Sequence, residues 1–293
     1  MRSYLFTPGD SEKKIAKALG AGADAVIVDL EDSVAPANKD TARQITAEAI
    51  TARRQPDVNQ TTLIVRVNPL DTPYCADDLA AVVPLSPDLI MLPKAEGGGD
   101  IQRLDAAIAG LESGTNGDIG IIAIGTETAA SLFVMGSYRN CCARLRGLAW
   151  GAEDLSADLG AETPRDQAGR YTGPYQLARD LTLLAACAAE IDAIDGPFVD
   201  FRDDTGLAAE CAEARRDGFA GKLAIHPAQV DTINRVFRPT DAEVALARDI
   251  VEAFDSEDGA VGVIGIGGKM YDIPHLKRAR KLLARADRFA TVD

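Results

Sequence analysis

Eight short apolar runs, alternating with segments of helical character, set the tightest constraint on what this chain can become. The runs are Tyr4–Phe6, Ala25–Leu30, Leu63–Asn68, Leu89–Pro93, Ile119–Ile124, Leu145–Gly151, Ala193–Phe198 and Lys222–Pro227. Between them lie Glu12–Gly20, Lys39–Arg53, Asp100–Leu111, Ala129–Gly136, Tyr175–Ile191 and Thr205–Asp217, whose Ala, Leu, Glu, Lys and Arg content favours helix. Strands that are apolar along most of their length are covered on both faces, as in a parallel sheet. Strict alternation of strand and helix points to the α/β class. Eight units in about 230 residues match a closed (β/α)8 TIM barrel. A doubly wound open sheet is the alternative. It would usually carry a Gly-rich phosphate loop after its first strand, where this chain reads Thr7-Pro8-Gly9-Asp10.

Beyond the eighth run, Thr240–Phe254 and Pro274–Phe289 read as two further helices. Ser256–Lys269 between them reads as a loop, with Gly259, Gly262, Gly265, Gly267 and Gly268 as a hinge. The expected organisation is a barrel over residues 1–230 and a C-terminal helical extension or lid over 231–293.

Charge narrows the function. Lys plus Arg number 31 against 45 Asp plus Glu, a net charge of −14. Such a surface repels nucleic-acid phosphates and anionic lipid, so neither is an expected partner. No apolar run reaches the length of about 18 residues that a membrane span needs, and Pro8 interrupts the N-terminal run, so a cytoplasmic protein is expected. The five cysteines have no CxxC spacing and read as free thiols.

In a barrel of this kind, chemistry collects where strands end. Six of the eight runs end in ionisable groups: Asp29-Leu30-Glu31-Asp32, Arg66 with Asn68, Lys94 with Glu96, Glu127, Glu153-Asp154, and His226. Asp29 and Glu31 share side-chain parity along a strand, so both can face the barrel interior, whereas Asp32 would not. Asp29, Glu31, Glu127, Glu153 and Asp154 brought together would repel one another. A divalent cation relieves that repulsion, and hard oxygen ligands without Cys or His point to Mg²⁺, with Mn²⁺ as the alternative. The competing reading is that these residues cap the helices that follow. Arg66, inside Leu63-Ile64-Val65-Arg66-Val67, needs an anion, either a substrate carboxylate or carbonyl oxygen or one of these carboxylates. Lys94 follows the same logic, with structural pairing favoured. His226-Pro227 reads as a turn more readily than as a base.

Taken in combination, these motifs resemble the HpcH/HpaI aldolase and citrate lyase family, in its citrate lyase beta-subunit-like and malyl-CoA lyase branch. The resemblance is carried by Arg2-Ser3-Tyr4-Leu5-Phe6-Thr7-Pro8-Gly9, Val28-Asp29-Leu30-Glu31-Asp32-Ser33, Val65-Arg66-Val67-Asn68-Pro69 and Leu92-Pro93-Lys94. It continues through Thr126-Glu127-Thr128-Ala129, Gly151-Ala152-Glu153-Asp154-Leu155, Ile225-His226-Pro227 and Gly268-Lys269-Met270-Tyr271-Asp272. It implies a Mg²⁺-dependent barrel lyase acting on a 3-hydroxyacyl-CoA such as malyl-, citramalyl- or citryl-CoA, to give acetyl-CoA and a 2-oxo acid. Under it, Glu127 and Asp154 bind the metal and Arg66 holds the substrate, with Glu127 also at the substrate. Asp272, in a tail that reaches a neighbouring subunit, protonates the thioester enolate. Phe6 and Lys17 lie near CoA, Asp29, Glu31 and Lys94 support the site, and the chain forms a homo-oligomer, a trimer or hexamer. Many members read Ile-Glu-Thr-Ala where this chain has Gly125-Thr126-Glu127-Thr128-Ala129, which bears on substrate shape. Two alternatives stand beside this reading. One is a class II aldolase on free 2-oxo acids, which would place a His base early in the chain, where there is none before His226. The other is a carrier-dependent citrate lyase beta subunit.

Overall fold

The structure, a computed structural model, describes residues 1–53, 61–112, 119–256 and 261–290. Eight parallel strands close into a barrel in sequence order: β1 (Ser3–Pro8), β2 (Ala25–Asp29), β3 (Thr62–Arg66), β4 (Leu89–Leu92), β5 (Gly120–Ile124), β6 (Leu145–Ala149), β7 (Asp192–Asp195) and β8 (Gly221–Ala224). β8 returns to β1 with Tyr4 opposite Leu223, so the sheet has no free edge. The predicted (β/α)8 barrel is therefore present, with each strand inside or overlapping its apolar run.

Along residues 1–237 the α-helices are α1 (Glu12–Leu19), α2 (Lys39–Arg53), α3 (Cys75–Val82), α4 (Gly98–Leu111), α5 (Ala129–Leu132), α6 (Ala152–Leu159), α7 (Gly173–Ala188), α8 (Asp204–Asp217) and α9 (Val230–Phe237). The Ala129–Gly136 segment is helical only over its first turn and then passes into a 3-10 turn at Met135–Tyr138. Helices α3, α6 and α9 have no counterpart among the helical segments read from the sequence.

Side-chain parity fills the barrel. Tyr4, Ile27, Ile64, Met91, Ile122, Ala149, Ile194 and Leu223 pack together along its axis. Two residues further along their strands, Phe6, Asp29, Arg66 and Ile124 therefore point inward at the C-terminal mouth. Polar groups at the mouth thus stand directly on a fully apolar plug.

The chain divides into two compact units, Met1–Asn234 and Arg235–Asp293. The second contains α10 (Asp241–Asp255), β9 (Val263–Ile266), β10 (Lys269–Asp272) and α11 (Ile273–Ala290). Its own small core joins Ala247, Ile250 and Phe254 to Ile264, Leu276 and Ala279. The Ser256–Lys269 loop is corrected here. Gly259 lies outside the described residues, but Val263–Asp272 is an antiparallel hairpin, with Ile266 opposite Lys269. Gly267 and Gly268 take φ of +55° and +77°, the pair of left-handed residues that a tight two-residue hairpin turn demands. Those two glycines build the turn of the hairpin. Among the described residues, no helix is long and apolar enough to cross a membrane.

Candidate active site

A cavity of about 460 Å³ opens at the C-terminal mouth of the barrel. Phe6, Asp29, Arg66, Glu127, Glu153 and Asp154 line it, together with Asp32, Trp150 and Tyr171.

Asp29 ends β2 and is 1 % exposed. Its two oxygens receive Arg66 Nε and Nη2, each at 2.7 Å, in a bidentate fork. They also accept the backbone N–H groups of Glu31 (2.9 Å) and Ser33 (3.1 Å). Burial opposes ionisation here, yet Arg66 and these N–H groups outweigh it and hold the Asp29 carboxyl below its usual range. The guanidinium of Arg66 also lies 4.8 Å from the centre of the Phe6 ring.

The turn after β2 breaks the strand parity. Because the Asp29 carboxylate ties down the N–H groups of Glu31 and Ser33, the chain curls back. Glu31 is buried away from the cavity lining, and Asp32, expected to point away, lines it. Glu31 Oε1 takes Lys94 Nζ at 2.5 Å. Its Oε2 lies 3.0 Å from Arg66 Nη1 but out of line for a hydrogen bond. Burial pushes the Glu31 carboxyl up, and the two cations offset this only in part. Lys94 adopts φ +49° just after β4, and its Nζ is 3.3 Å from Asp154 and 3.5 Å from Asp32.

The expected carboxylate crowd is thus divided. Arg66 and Lys94 neutralise Asp29 and Glu31. Glu127 lies beside Asp154, and its Oε2 accepts the Lys94 backbone N–H at 2.5 Å. Burial, then the negative Asp154, push the Glu127 carboxyl up to about 8. Gly151 leaves room above it, since a Cβ there would sit 3.2 Å from Glu127 Cγ and 3.4 Å from Oε1. A buried carboxylate, an adjacent one at the start of α6, and open space over both fit a hard divalent cation. Among the described residues no cage of three or more Asp, Glu, His or Cys exists. Mg²⁺ keeps several waters and takes one or two protein carboxylates, which Glu127 and Asp154 can supply.

The other predicted residues fall elsewhere. Lys17 is on the exposed side of α1 and is not part of the cavity lining. His226 caps a 3-10 turn, its Nδ1 accepting the Ala228 N–H at 3.2 Å, and stacks on Phe201 with ring centres 4.4 Å apart. Asp272 belongs to the second unit, at the end of β10. Its Oδ1 accepts the His275 N–H at 3.4 Å and pairs with His275 Nδ1, while its own N–H reaches that nitrogen at 3.2 Å. This is a reciprocal cap at the start of α11. The His275 side chain holds the Asp272 carboxyl below its usual value.

The apolar wall of the cavity escaped the sequence reading. Trp150 follows β6 and meets Tyr171 edge to face, with ring centres 4.8 Å apart. Trp150 Nε1 donates to Asp195 at 2.8 Å, and Asp195 also receives Lys222 Nζ at 2.7 Å and Arg179 Nε at 2.9 Å. Lys222 reaches Glu210 at 2.8 Å, and Glu210 receives Arg165 at 2.8 Å. Arg165 stacks 3.7 Å over the Tyr171 ring. Trp150, Asp195, Lys222, Glu210, Arg165 and Tyr171 thus form a closed ring of contacts, with Lys222 and Asp195 wholly buried. An Asp beneath the Ile194 parity position and a Lys within β8 were the available signals.

The chain is similar to known proteins along most of its length. Residues 2–227 match the profile of the HpcH/HpaI aldolase/citrate lyase family. A (3S)-malyl-CoA thioesterase of Cereibacter sphaeroides is 36 % identical over 290 residues, 99 % of this chain and 95 % of the relative. Citrate lyase subunit beta of Escherichia coli K12 is 35 % identical over 291 residues, 98 % of this chain and 93 % of the relative. Among solved structures, CitE from Mycobacterium tuberculosis in complex with magnesium, acetoacetate and coenzyme A shares 32 % identity. It superposes with a TM-score of 0.77 over 98 % of each chain. A barrel with this carboxylate pair at its mouth, matched along almost its whole length, belongs to the HpcH/HpaI aldolase/citrate lyase family.

Proposed function

We propose that this protein is a Mg²⁺-dependent carbon–carbon lyase that splits a 3-hydroxyacyl-CoA into acetyl-CoA and a 2-oxo acid. The observation that carries the reading is the buried Glu127 carboxylate beside Asp154, in a cavity whose lining also includes Arg66. Relatives of this length named for malyl-CoA and citrate chemistry, and a neighbour bound to magnesium and coenzyme A, support it.

Glu127 and Asp154 hold the metal. When bound, Mg²⁺ polarises the hydroxyl and carboxylate oxygens of the oxo-acid half as a Lewis acid. Arg66, its fork fixed by Asp29, donates to the oxygen that becomes the product carbonyl. As the carbinol hydroxyl gives up its proton to solvent and the bond between the carbinol carbon and the thioester α-carbon breaks, that bond's electron pair goes to the thioester enolate. The proton that this carbon then takes is assigned to Asp272 of a neighbouring subunit's tail, whose carboxyl must first take one up, since His275 holds it below its usual value. Phe6 packs against Arg66 and limits its movement.

Replacing Asp272 by Asn is expected to lower the rate by about 10²–10⁴. The cap it forms at α11 is worth only about 1 kcal/mol. Turnover and melting temperature therefore separate a proton donor from a helix cap, and a rate within threefold of wild type leaves Asp272 as a cap alone.

A second reading, hydrolysis of the thioester, is favoured by the 36 % identity to a malyl-CoA thioesterase. The two part at the products. Malyl-CoA incubated with the protein and Mg²⁺ yields acetyl-CoA and glyoxylate in the first reading. In the second it yields malate and a free thiol. Mass spectrometry with thiol titration distinguishes them, and free thiol as the sole CoA product would overturn the lyase assignment. Chelation by EDTA is expected to stop either reaction.

A further inference from the structure

Lys39 takes no part in the chemistry proposed above, yet it is only 7 % exposed. It is the first residue of α2, where a helix favours an anion over a cation. Burial pushes its ammonium below the usual value, and the carboxylates around it, Asp78 foremost, offset this only in part. Neither the helix nor the burial favours a lysine here, so the reason for it lies in what it touches.

All three protons of the ammonium have acceptors. Nζ donates to the carbonyls of Leu30 at 2.6 Å and Glu31 at 2.8 Å, and to Asn68 Oδ1 at 2.8 Å. Those carbonyls belong to the turn after β2, whose Glu31 and Ser33 N–H groups are held by the Asp29 carboxylate. The turn is thus gripped by an anion on its N–H groups and by a cation on its carbonyls. Asn68, just past β3, returns Nδ2 to the Leu30 carbonyl at 2.9 Å and reaches Asp78 at 2.6 Å. Asp78 is wholly buried in α3 and also takes Arg43 Nε at 2.8 Å. The ends of β2 and β3 are therefore joined twice. The Asp29–Arg66 fork joins them at the mouth, and Lys39 with Asn68 joins them again through the Leu30 carbonyl.

The second link does more than satisfy the backbone. Leu30 O keeps Asn68 Nδ2, and Glu31 O keeps the Val34 N–H at 3.0 Å, so neither carbonyl is orphaned without the lysine. What the ammonium adds is a pair of charge-assisted bonds that fix the direction of both peptide groups. That direction matters at the site. The same turn sets Asp32 in the cavity lining and lays Glu31 against Lys94 Nζ at 2.5 Å and Arg66 Nη1 at 3.0 Å.

We propose that Lys39 is a positioning residue for the reaction: through the Leu30 and Glu31 carbonyls it holds the one curl of the turn in which Asp29 and Glu31 aim the Arg66 fork. This role rests on the lyase reading, in which Arg66 donates to the developing carbonyl oxygen. Lys39 itself touches no substrate.

The test compares the full-length wild type with Lys39→Met, which keeps the length of the side chain and removes its donors. With Mg²⁺ and malyl-CoA or citramalyl-CoA, kcat is expected to fall about 10²-fold, the usual effect of a misplacement of about 1 Å. KM is expected to stay within threefold, because an oriented donor acts on the transition state more than on bound substrate. Amide hydrogen exchange in a peptide spanning Asp29–Val34 is expected to quicken at least tenfold. Arg43→Gln, which loosens the Asp78 pairing without touching the turn, should lower the melting temperature and leave kcat within threefold. If Lys39→Met does not fold, Lys39→Gln, whose amide stops one bond short of the acceptors, is read by the same criteria. A kcat within threefold of wild type, or an equal loss of rate in the Arg43 variant at an equal loss of melting temperature, overturns the proposal. If the wild type releases only free thiol, the lyase reading fails and Lys39 is judged by kcat for that hydrolysis. If it releases neither acetyl-CoA nor thiol, both fall.

Discussion

Glu127→Gln is expected to abolish Mg²⁺-dependent turnover and, in metal-free protein at pH 8, to raise the melting temperature. Both effects have one cause. The Glu127 carboxyl is 4 % exposed and lies beside Asp154, with its pKa pushed from 4.5 to about 8. A carboxyl with a raised folded-state pKa does not penalise folding below its unfolded value. It destabilises increasingly as pH climbs from there toward 8, because the unfolded chain ionises freely and the folded one resists. Gln keeps an acceptor for the Lys94 N–H and carries no charge, so the pH-dependent loss disappears. The metal loses a ligand charge at the same step. Several kcal/mol of Lewis-acid stabilisation corresponds to a fall of about 10³-fold or more in turnover. Calorimetric scans in EDTA between pH 5 and pH 8 read the first effect and steady-state rates the second. A variant with the wild-type pH slope would show that Glu127 is not the strained group. Near-normal turnover at low Mg²⁺ would remove it from the metal site. Asp154→Asn should lose turnover similarly with little change in stability, its side chain being 33 % exposed.

Arg66→Lys is expected to cut turnover by about 10²-fold or more, the usual consequence of losing one preorganised donor at a developing oxyanion. Lysine offers a point charge where Asp29 and the substrate oxygen require a planar fork. Stability falls less than in Arg66→Ala. That variant strands the buried Asp29 without its cation and should cost about 3–5 kcal/mol. Comparing the two variants by melting temperature and by kcat separates the ion pair from the catalytic contact. An Arg66→Lys enzyme with turnover within threefold of wild type would leave Arg66 with the Asp29 pairing alone.

The barrel was legible because its strands are buried on both faces, and such strands are written as unbroken apolar runs. Parity carried only the Asp29 part of the reading into the site; in the structure Ile27 and Ile64 face the core, and Asp29 and Arg66 two residues on face the mouth. Parity fails where the strand stops. Asp32 lines the cavity because the Asp29 carboxylate bends the following turn. The β9–β10 hairpin was missed because its strands are short and exposed, and the glycines that close its turn also suit a loop. The division of carboxylates between Arg66, Lys94 and a metal was likewise unreadable, since it depends on which oxygen each cation reaches. The wall formed by Trp150 and Tyr171 joins residues of distant segments, so no local pattern announces it.

The ring running from Trp150 through Asp195, Lys222, Glu210 and Arg165 to Tyr171 has no loose end, and this bears on how the protein can change. A new side chain at position 150 leaves Asp195 short of a donor in a place that water does not reach. A new one at 210 releases Arg165, and with it the face of Tyr171. Substitutions at contacting positions combine non-additively, so here each is tolerated only in the company of particular neighbours. Descendants of this sequence with another substrate range should therefore have exchanged these six positions as a block. Laboratory libraries meant to redirect the enzyme should vary them jointly, because single-site scans of the wall will return mostly broken proteins.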